Sequence, residues 1–215
     1  MDRARLRENL EKVRGRIAEA CRRAGRDPAG VTLVVVTKSA PVELIPELAA
    51  LGVTDVGEHR PLEGLRRVGP LRQFRRHMIG HIQTNKLRRT LEWAEIIHSL
   101  DRPALVEAMA RTEPKRPVYV QVNVSGEATK GGYRPEEVPA AVAAARGAGL
   151  EVLGLMTMAP RGGDARGCFR RLRELAAREG LAGLSMGMSE DFEAAVEEGS
   201  TCVRIGSAVF EGVRV

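Results

Sequence analysis

Leu6, Leu10, Val13, Ile17 and Cys21 recur at three- and four-residue steps with Arg, Lys and Glu between them, the spacing of one amphipathic helix. Gly25 and the Asp27-Pro28 pair stop it. Residues 31–37 then form a nearly continuous β-branched run, which suits a strand covered on both faces. The alternation repeats from there. Helices are predicted over 41–51, 62–68, 84–91, 165–178 and 191–197, with two more starting near Arg102 and Pro135. Further strands are predicted over 54–56, 77–79, 95–98, 118–123, 150–156, 181–184 and 202–205.

Eight strands alternating with helices, preceded by one extra helix, imply parallel pairing through right-handed crossovers. The expected fold is α/β, a (β/α)8 TIM barrel with an extra N-terminal helix. A doubly wound sheet is the runner-up, but no GxGxxG follows the first strand to support a dinucleotide site. No linker, low-complexity stretch or charge block divides the chain, so a single domain over 1–215 is expected.

Composition narrows the function classes. Charged residues are 29% and hydrophobic ones 43%, the balance of a globular protein. The formal charge of +6 is spread along helical faces beside Asp and Glu, and aromatics are only 3%, so neither nucleic-acid binding nor base stacking is expected. Cys21, Cys168 and Cys202 are an odd set without CxxC spacing, which indicates neither a disulfide framework nor a zinc site. There is no apolar leader and no run of membrane-spanning length, so a cytoplasmic protein that does not enter a membrane is expected.

In a barrel, ligand chemistry gathers just past the C-terminal ends of the strands. Those places hold Lys38, Gly57-Glu58-His59, Gly80-His81, His98-Ser99, Asn123 to Ser125, Met156 to Met158, Ser185 to Ser189 and Arg204 to Ser207. Lys38 is one of few lysines in an arginine-rich chain, at the end of an apolar strand where desolvation would prepare its amine for a carbonyl. Alone, it reads better as a lysine that reaches to solvent and caps strand carbonyls.

Two late loops change that balance. Ser185-Met-Gly-Met-Ser189, with Gly187 at its centre, follows the seventh strand, and Arg204-Ile-Gly206-Ser207 follows the eighth. Glycine for close backbone approach and serine hydroxyls at these two places make the recurrent barrel phosphate site; the competing reading is helix capping by Ser189 and Ser207. A phosphate site and an amine on one rim are what pyridoxal 5′-phosphate (PLP) requires. Arg204 could face the pyridine nitrogen, contact phosphate or pair with a core carboxylate, and the sequence leaves all three open. Met156 and Met158 read as packing at the mouth, Glu58 as structural, and the His77/His81 pair as a strand-to-loop passage rather than a metal site, so no metal is expected.

At these residues the chain resembles the PLP homeostasis protein family, also called proline synthase co-transcribed protein, which is related to the N-terminal barrel of alanine racemase. The resemblance rests on Val35-Val-Thr-Lys38, Gly57-Glu58, residues 79–86 (IGHIQTNK), 121–131 (QVNVSGEATKG), 154–160 (GLMTMAP), 184–189 (LSMGMS) and Val203-Arg-Ile-Gly206. It implies a Schiff base between PLP and Lys38, phosphate held by Ser189, Gly206 and Ser207, and Arg204 near the pyridine nitrogen. Ser185, Gly187, Met156, His59 and His81 complete the expected cofactor surroundings. The family pattern has Asn after Gly-Glu where this chain has His59, which puts one expected hydrogen bond in question.

The resemblance implies a PLP carrier or regulator of vitamin B6 pools without established catalysis; a monomer is expected, with PLP-dependent apoenzymes as candidate partners. The alternative is a PLP-dependent amino-acid racemase. Two-base racemisation needs a second group on the opposite cofactor face, which alanine racemases take from a second domain, and the chain length leaves no room for one.

Overall fold

The structure, a computed structural model, describes residues 3–127, 130–160 and 162–213. Ala128 and Thr129 of the 121–131 motif lie outside the described residues. In chain order the elements are α1 (Arg3–Arg23), β1 (Thr32–Val36), α2 (Glu47–Ala50), β2 (Asp55–Glu58), α3 (Pro61–Arg67), β3 (Arg75–Met78), α4 (Leu87–Leu91), β4 (Ile96–Leu100) and α5 (Pro103–Ala110). They continue as β5 (Val118–Gln121), α6 (Val138–Gly147), β6 (Val152–Met156), α7 (Ala165–Arg178), β7 (Gly183–Ser185), α8 (Phe192–Glu197), β8 (Cys202–Ile205) and α9 (Ser207–Phe210). The eight strands are all parallel and close in sequence order, with β1 pairing β8 through Val34↔Arg204. The expected TIM barrel with an added N-terminal helix is therefore the fold.

Local differences have local causes. The helix predicted over 41–51 is broken into a 3-10 turn, Val42–Leu44, and the four-residue α2, because Pro46 has no N–H to donate. Strand β3 begins two residues earlier than its apolar letters suggest, since Arg75 and Arg76 pair in register with Asp55 and Val56.

Alternation along each strand sorts side chains between two layers. Val35, Val56, Met78, Ile97, Val120, Leu155, Leu184, Val203 and Ile205 face outward and join the apolar layer beneath the helices. Their neighbours Asp55, His77, His98, Ser185 and Arg204 are also buried, and they face inward. Most barrels fill this space with branched apolar residues. Here much of it is polar.

Helix α1 completes the outer ring. After β8 the described residues form only α9, four residues long, and α1 covers the gap with its buried stripe of Leu6, Leu10, Val13, Ile17, Ala20 and Cys21. It packs on α8 and α9 and reaches the α2 side through Arg14, whose guanidinium donates to Leu51 O and Gly52 O at 2.9 Å. Asn9 Nδ2 holds Val209 O at 3.0 Å and Glu211 O at 2.9 Å, fixing the segment around α9.

Candidate functional site at the barrel mouth

Lys38 lies two residues past the end of β1, in a turn, and is exposed. The expectation of a desolvated amine is corrected: the apolar run ends at Val36, and the turn lifts Lys38 clear of it. What the structure supplies instead is a fixed loop. Arg67, from the last turn of α3, donates from Nη2 to Thr37 O at 2.7 Å and to Ala40 O at 2.6 Å, bracketing Lys38 and Ser39. Its Nε donates to Glu58 Oε1 at 3.1 Å, and the Thr37 hydroxyl donates to the same oxygen at 2.6 Å. Sequence reading missed Arg67, because nothing in a helical Arg-Arg pair signals a loop clamp.

The loops after β7 and β8 meet each other. Ser189 Oγ accepts from Ala208 N at 3.4 Å, joining the two turns. Neither serine is a cap: Asp191 precedes α8 and its carboxylate accepts from Met188 N at 2.6 Å, while Gly206 precedes α9. The capping reading is thereby removed, leaving the half-buried Ser189 and the exposed Ser207 hydroxyl close to one junction. Gly206 touches the top of β1, where an added Cβ would lie 2.9 Å from Val36 O. This contact brings the β8 loop beside the start of the Lys38 turn. Gly187 has φ +97°, and a Cβ there would meet Ala195 Cβ at 2.6 Å.

Arg204 points inward beneath these loops, 4% exposed. Its Nη1 donates to Ser185 Oγ at 2.5 Å and its Nη2 to Thr157 O at 2.9 Å. Burial lowers its pKa from the ordinary guanidinium value. No carboxylate bonds it among the described residues, so of the three readings left by the sequence, pairing with a core carboxylate is not what the fold builds. Ser185 has no exposure, its hydroxyl taken by Arg204 and His98; it lies inside the barrel, behind the rim. Met156, next to the outward Leu155 on β6, turns into the barrel and is fully buried.

His59 and Glu58 face each other across 3.9 Å from Nδ1 to Oε2. Both atoms are buried and without a hydrogen-bond partner. Desolvation, followed by the nearby Lys38 charge, lowers the His59 pKa, which keeps the ring neutral near pH 7. With Glu63 these groups place three ligand-type atoms within 4.8 Å of one another. Charge argues against a cation there, because Arg67 already pairs with Glu58, Arg60 with Glu63 at 2.8 Å, and Lys38 adds a third positive group. His81 is exposed and bonded through Nδ1 to Asp101 at 2.6 Å, so it belongs to the rim between β3 and β4. Gly80 brings that rim against β2, a Cβ there falling 2.1 Å from His59 O.

This mouth has named counterparts. The model of the alanine racemase N-terminal domain matches residues 1–213. A Pseudomonas aeruginosa protein named pyridoxal phosphate homeostasis protein is 42% identical over 218 residues, spanning 95% of this chain and 94% of the relative. The chain belongs to the pyridoxal phosphate homeostasis protein family. Among solved structures, a protein of unknown function from Bifidobacterium adolescentis superposes on this family member with TM-score 0.90 at 31% identity, over 98% of this chain and 97% of that one. PipY from Synechococcus elongatus, solved with PLP bound, superposes with TM-score 0.79 at 28% identity, over 95% and 99% of the two chains. No described helix of this pyridoxal phosphate homeostasis family member is long and apolar enough to cross a membrane.

Proposed function

We propose that this protein binds PLP through a Schiff base on Lys38 and serves as a cytoplasmic carrier or regulator in PLP homeostasis. The observation that carries the reading is the junction of β1 and β8: Gly206 against Val36 brings the turn bearing Lys38 beside the Ser189–Ala208 junction and above Arg204. PLP supplies an aldehyde that condenses reversibly with an amine, together with a phosphate and a pyridine ring.

The residues present fit such a group. Lys38 is an exposed amine on a clamped loop. Ser189, Gly206 and Ser207 offer hydroxyl and backbone donors for phosphate, with Gly187 allowing the β7 loop to turn without a side chain. Arg204 keeps further N–H donors beyond those given to Ser185 and Thr157, and a donor directed at the pyridine nitrogen would leave that atom unprotonated and weaken the ring as an electron sink. Glu58 Oε2 and His59 Nδ1 lie near Lys38 without hydrogen-bond partners, polar atoms that a group joined to Lys38 could engage. Met156 and Ser185 line the interior below, and His81 the rim.

A carrier needs an amine that partners can reach, and the exposure of Lys38 supports exchange with PLP-dependent apoenzymes. The names of the curated relatives support homeostasis over catalysis. The test is an absorbance spectrum of the PLP-loaded protein, then borohydride reduction and peptide mass mapping, on wild type and Lys38→Ala. A reducible visible band with the cofactor mass on Lys38, lost in the variant, is expected. No adduct on wild-type Lys38 overturns the PLP reading, and steady interconversion of L- and D-alanine by the loaded protein overturns the carrier reading.

A further inference from the structure

Inside the barrel, Arg204 is the last member of a hydrogen-bonded chain that crosses the interior. Arg204 Nη1 lies 2.5 Å from Ser185 Oγ, Ser185 Oγ 2.7 Å from His98 Nδ1, His98 Nε2 2.9 Å from His77 Nδ1, and His77 Nε2 2.8 Å from Asp55 Oδ1. Five strands contribute: β2, β3, β4, β7 and β8. Every side chain in it is buried.

With one proton on each imidazole, the carboxylate end sets the direction of the chain. A guanidinium can only donate and a carboxylate can only accept. Arg204 therefore donates to Ser185, Ser185 to His98 Nδ1, His98 Nε2–H to His77 Nδ1, and His77 Nε2–H to Asp55. In this arrangement each ring carries its proton on Nε2. Adding a proton at His98 Nδ1 would leave the Ser185 hydroxyl hydrogen without its acceptor and place a second cation one residue from Arg204.

The surroundings enforce the same state. His98 is faced by His77 from β3, by the Tyr119 ring from β5 with centroids 4.6 Å apart, by Ser185 from β7, and by Arg204 from β8. Cys202 of β8 lies near Ser185, and Arg75 of β3 meets Asp55 beyond His77. Burial above all, with the Arg204 charge nearby, pushes the His98 pKa well below its ordinary value. At the far end Arg75 Nε donates to Asp55 Oδ1 at 2.7 Å and Thr54 Oγ1 to Oδ2 at 2.6 Å. Thr54, Asp55 and Arg75 line a cleft of ≈ 360 Å³ at the N-terminal ends of the strands, opposite the mouth.

We propose that His77 and His98 are positioning residues that act through Ser185 to aim Arg204 at the cofactor's ring nitrogen, so that cofactor retention depends on the protonation state of a buried histidine pair. The proposal rests on the PLP reading above. A one-way chain gives each polar group along it one donor or acceptor to meet. Arg204 is thereby held in one orientation, and a proton entering the pair disturbs it without touching the mouth.

The test uses the intact protein and three variants. In unloaded wild type, long-range ¹H–¹⁵N histidine spectra should show His77 and His98 as neutral Nε2–H tautomers at pH 7; an Nδ1–H tautomer or an imidazolium at either position overturns the chain. In loaded protein, His98→Phe, which removes both ring nitrogens, should weaken PLP binding on the order of tenfold and move the pH midpoint of the visible band. His98→Gln, with one acceptor and one donor, should restore both toward wild type. Ser185→Ala breaks the same chain at small volume cost and serves if His98→Phe does not fold. Wild-type affinity and an unshifted pH profile in the broken chain overturn this proposal alone. Failure of wild-type Lys38 to form a reducible adduct sinks the PLP reading and this proposal together.

Discussion

Arg67 and Glu58 meet at 3.1 Å behind the loop that carries Lys38, and the same guanidinium holds the carbonyls of Thr37 and Ala40. One planar fork thus ties α3, the end of β2 and the Lys38 turn together. Lysine at 67 would keep the charge but could not span three acceptors in different directions. Arg67→Lys should lower unfolding free energy by about 1–3 kcal/mol, because Glu58 is left buried with fewer partners. Its PLP off-rate should rise as the Lys38 turn loosens. Urea titration and stopped-flow release of PLP check this, and wild-type values in both would remove the clamp from the account.

Gly80 has a narrower role. A methyl group there would lie 2.1 Å from His59 O, and backbone cannot rotate away as a side chain can. Gly80→Ala should therefore part the β2 and β3 rims and cost about 1–3 kcal/mol. Thermal melts of this variant beside Gly15→Ala, where nothing lies within 4 Å of the added methyl, separate crowding from the general effect of adding alanine to a chain.

The barrel was readable because each strand is followed by its own helix, and a closed parallel sheet in sequence order needs no long-range information beyond that alternation. For the same reason the Ser189 and Ser207 loops could be expected together: β7 and β8 are neighbours by order alone. Arg67 and the interior chain were not readable. His77 and His98 are single polar letters in four- and five-residue strands, and a surface strand would show the same alternation. Only closure of the sheet turns those letters toward Asp55 and Arg204. The expected desolvation of the Lys38 amine failed for the opposite reason, since the hydrophobicity of β1 says nothing about a turn beginning two residues later.

Acid should destabilise the fold in two steps. His98 has a folded pKa well below its ordinary value, so below about pH 6.5 the unfolded chain binds a proton that the folded chain refuses. Its contribution is complete above that pH and is lost as pH falls, at up to about 1.4 kcal/mol per unit. Asp55 adds a later loss. Burial raises its carboxyl, but the bonds from His77, Thr54 and Arg75 outweigh that and hold it below the ordinary value. Its stabilisation is present above the unfolded carboxylate pKa of about 3.9 and disappears as pH drops through the folded one. Urea midpoints between pH 4.5 and 8 should fall from about pH 6.5 downward in wild type and fall less steeply in His98→Gln. Parallel curves would mean that the buried histidine does not set the acid limit.

Asn9 offers the last test, because it links the N-terminal helix to the loop proposed to hold phosphate. Its amide donates to Val209 O and Glu211 O, the first inside α9 and the second just after it, and it is 4% exposed. Helix α9 is a single turn, too short to hold itself in water, so its geometry depends on such outside bonds. Asn9→Ala leaves two carbonyls without that donor and should cost about 1–3 kcal/mol. Hydrogen exchange should quicken at Val209 and Phe210, whose amides bond to Gly206 O, before it quickens in β8. Because Gly206 and Ser207 begin that turn, PLP binding should weaken more than inorganic denaturant stability alone would require, measured at temperatures where the variant is fully folded. Unchanged exchange at Val209 and unchanged affinity would show that α1 closes the helical ring without bracing the loop it touches.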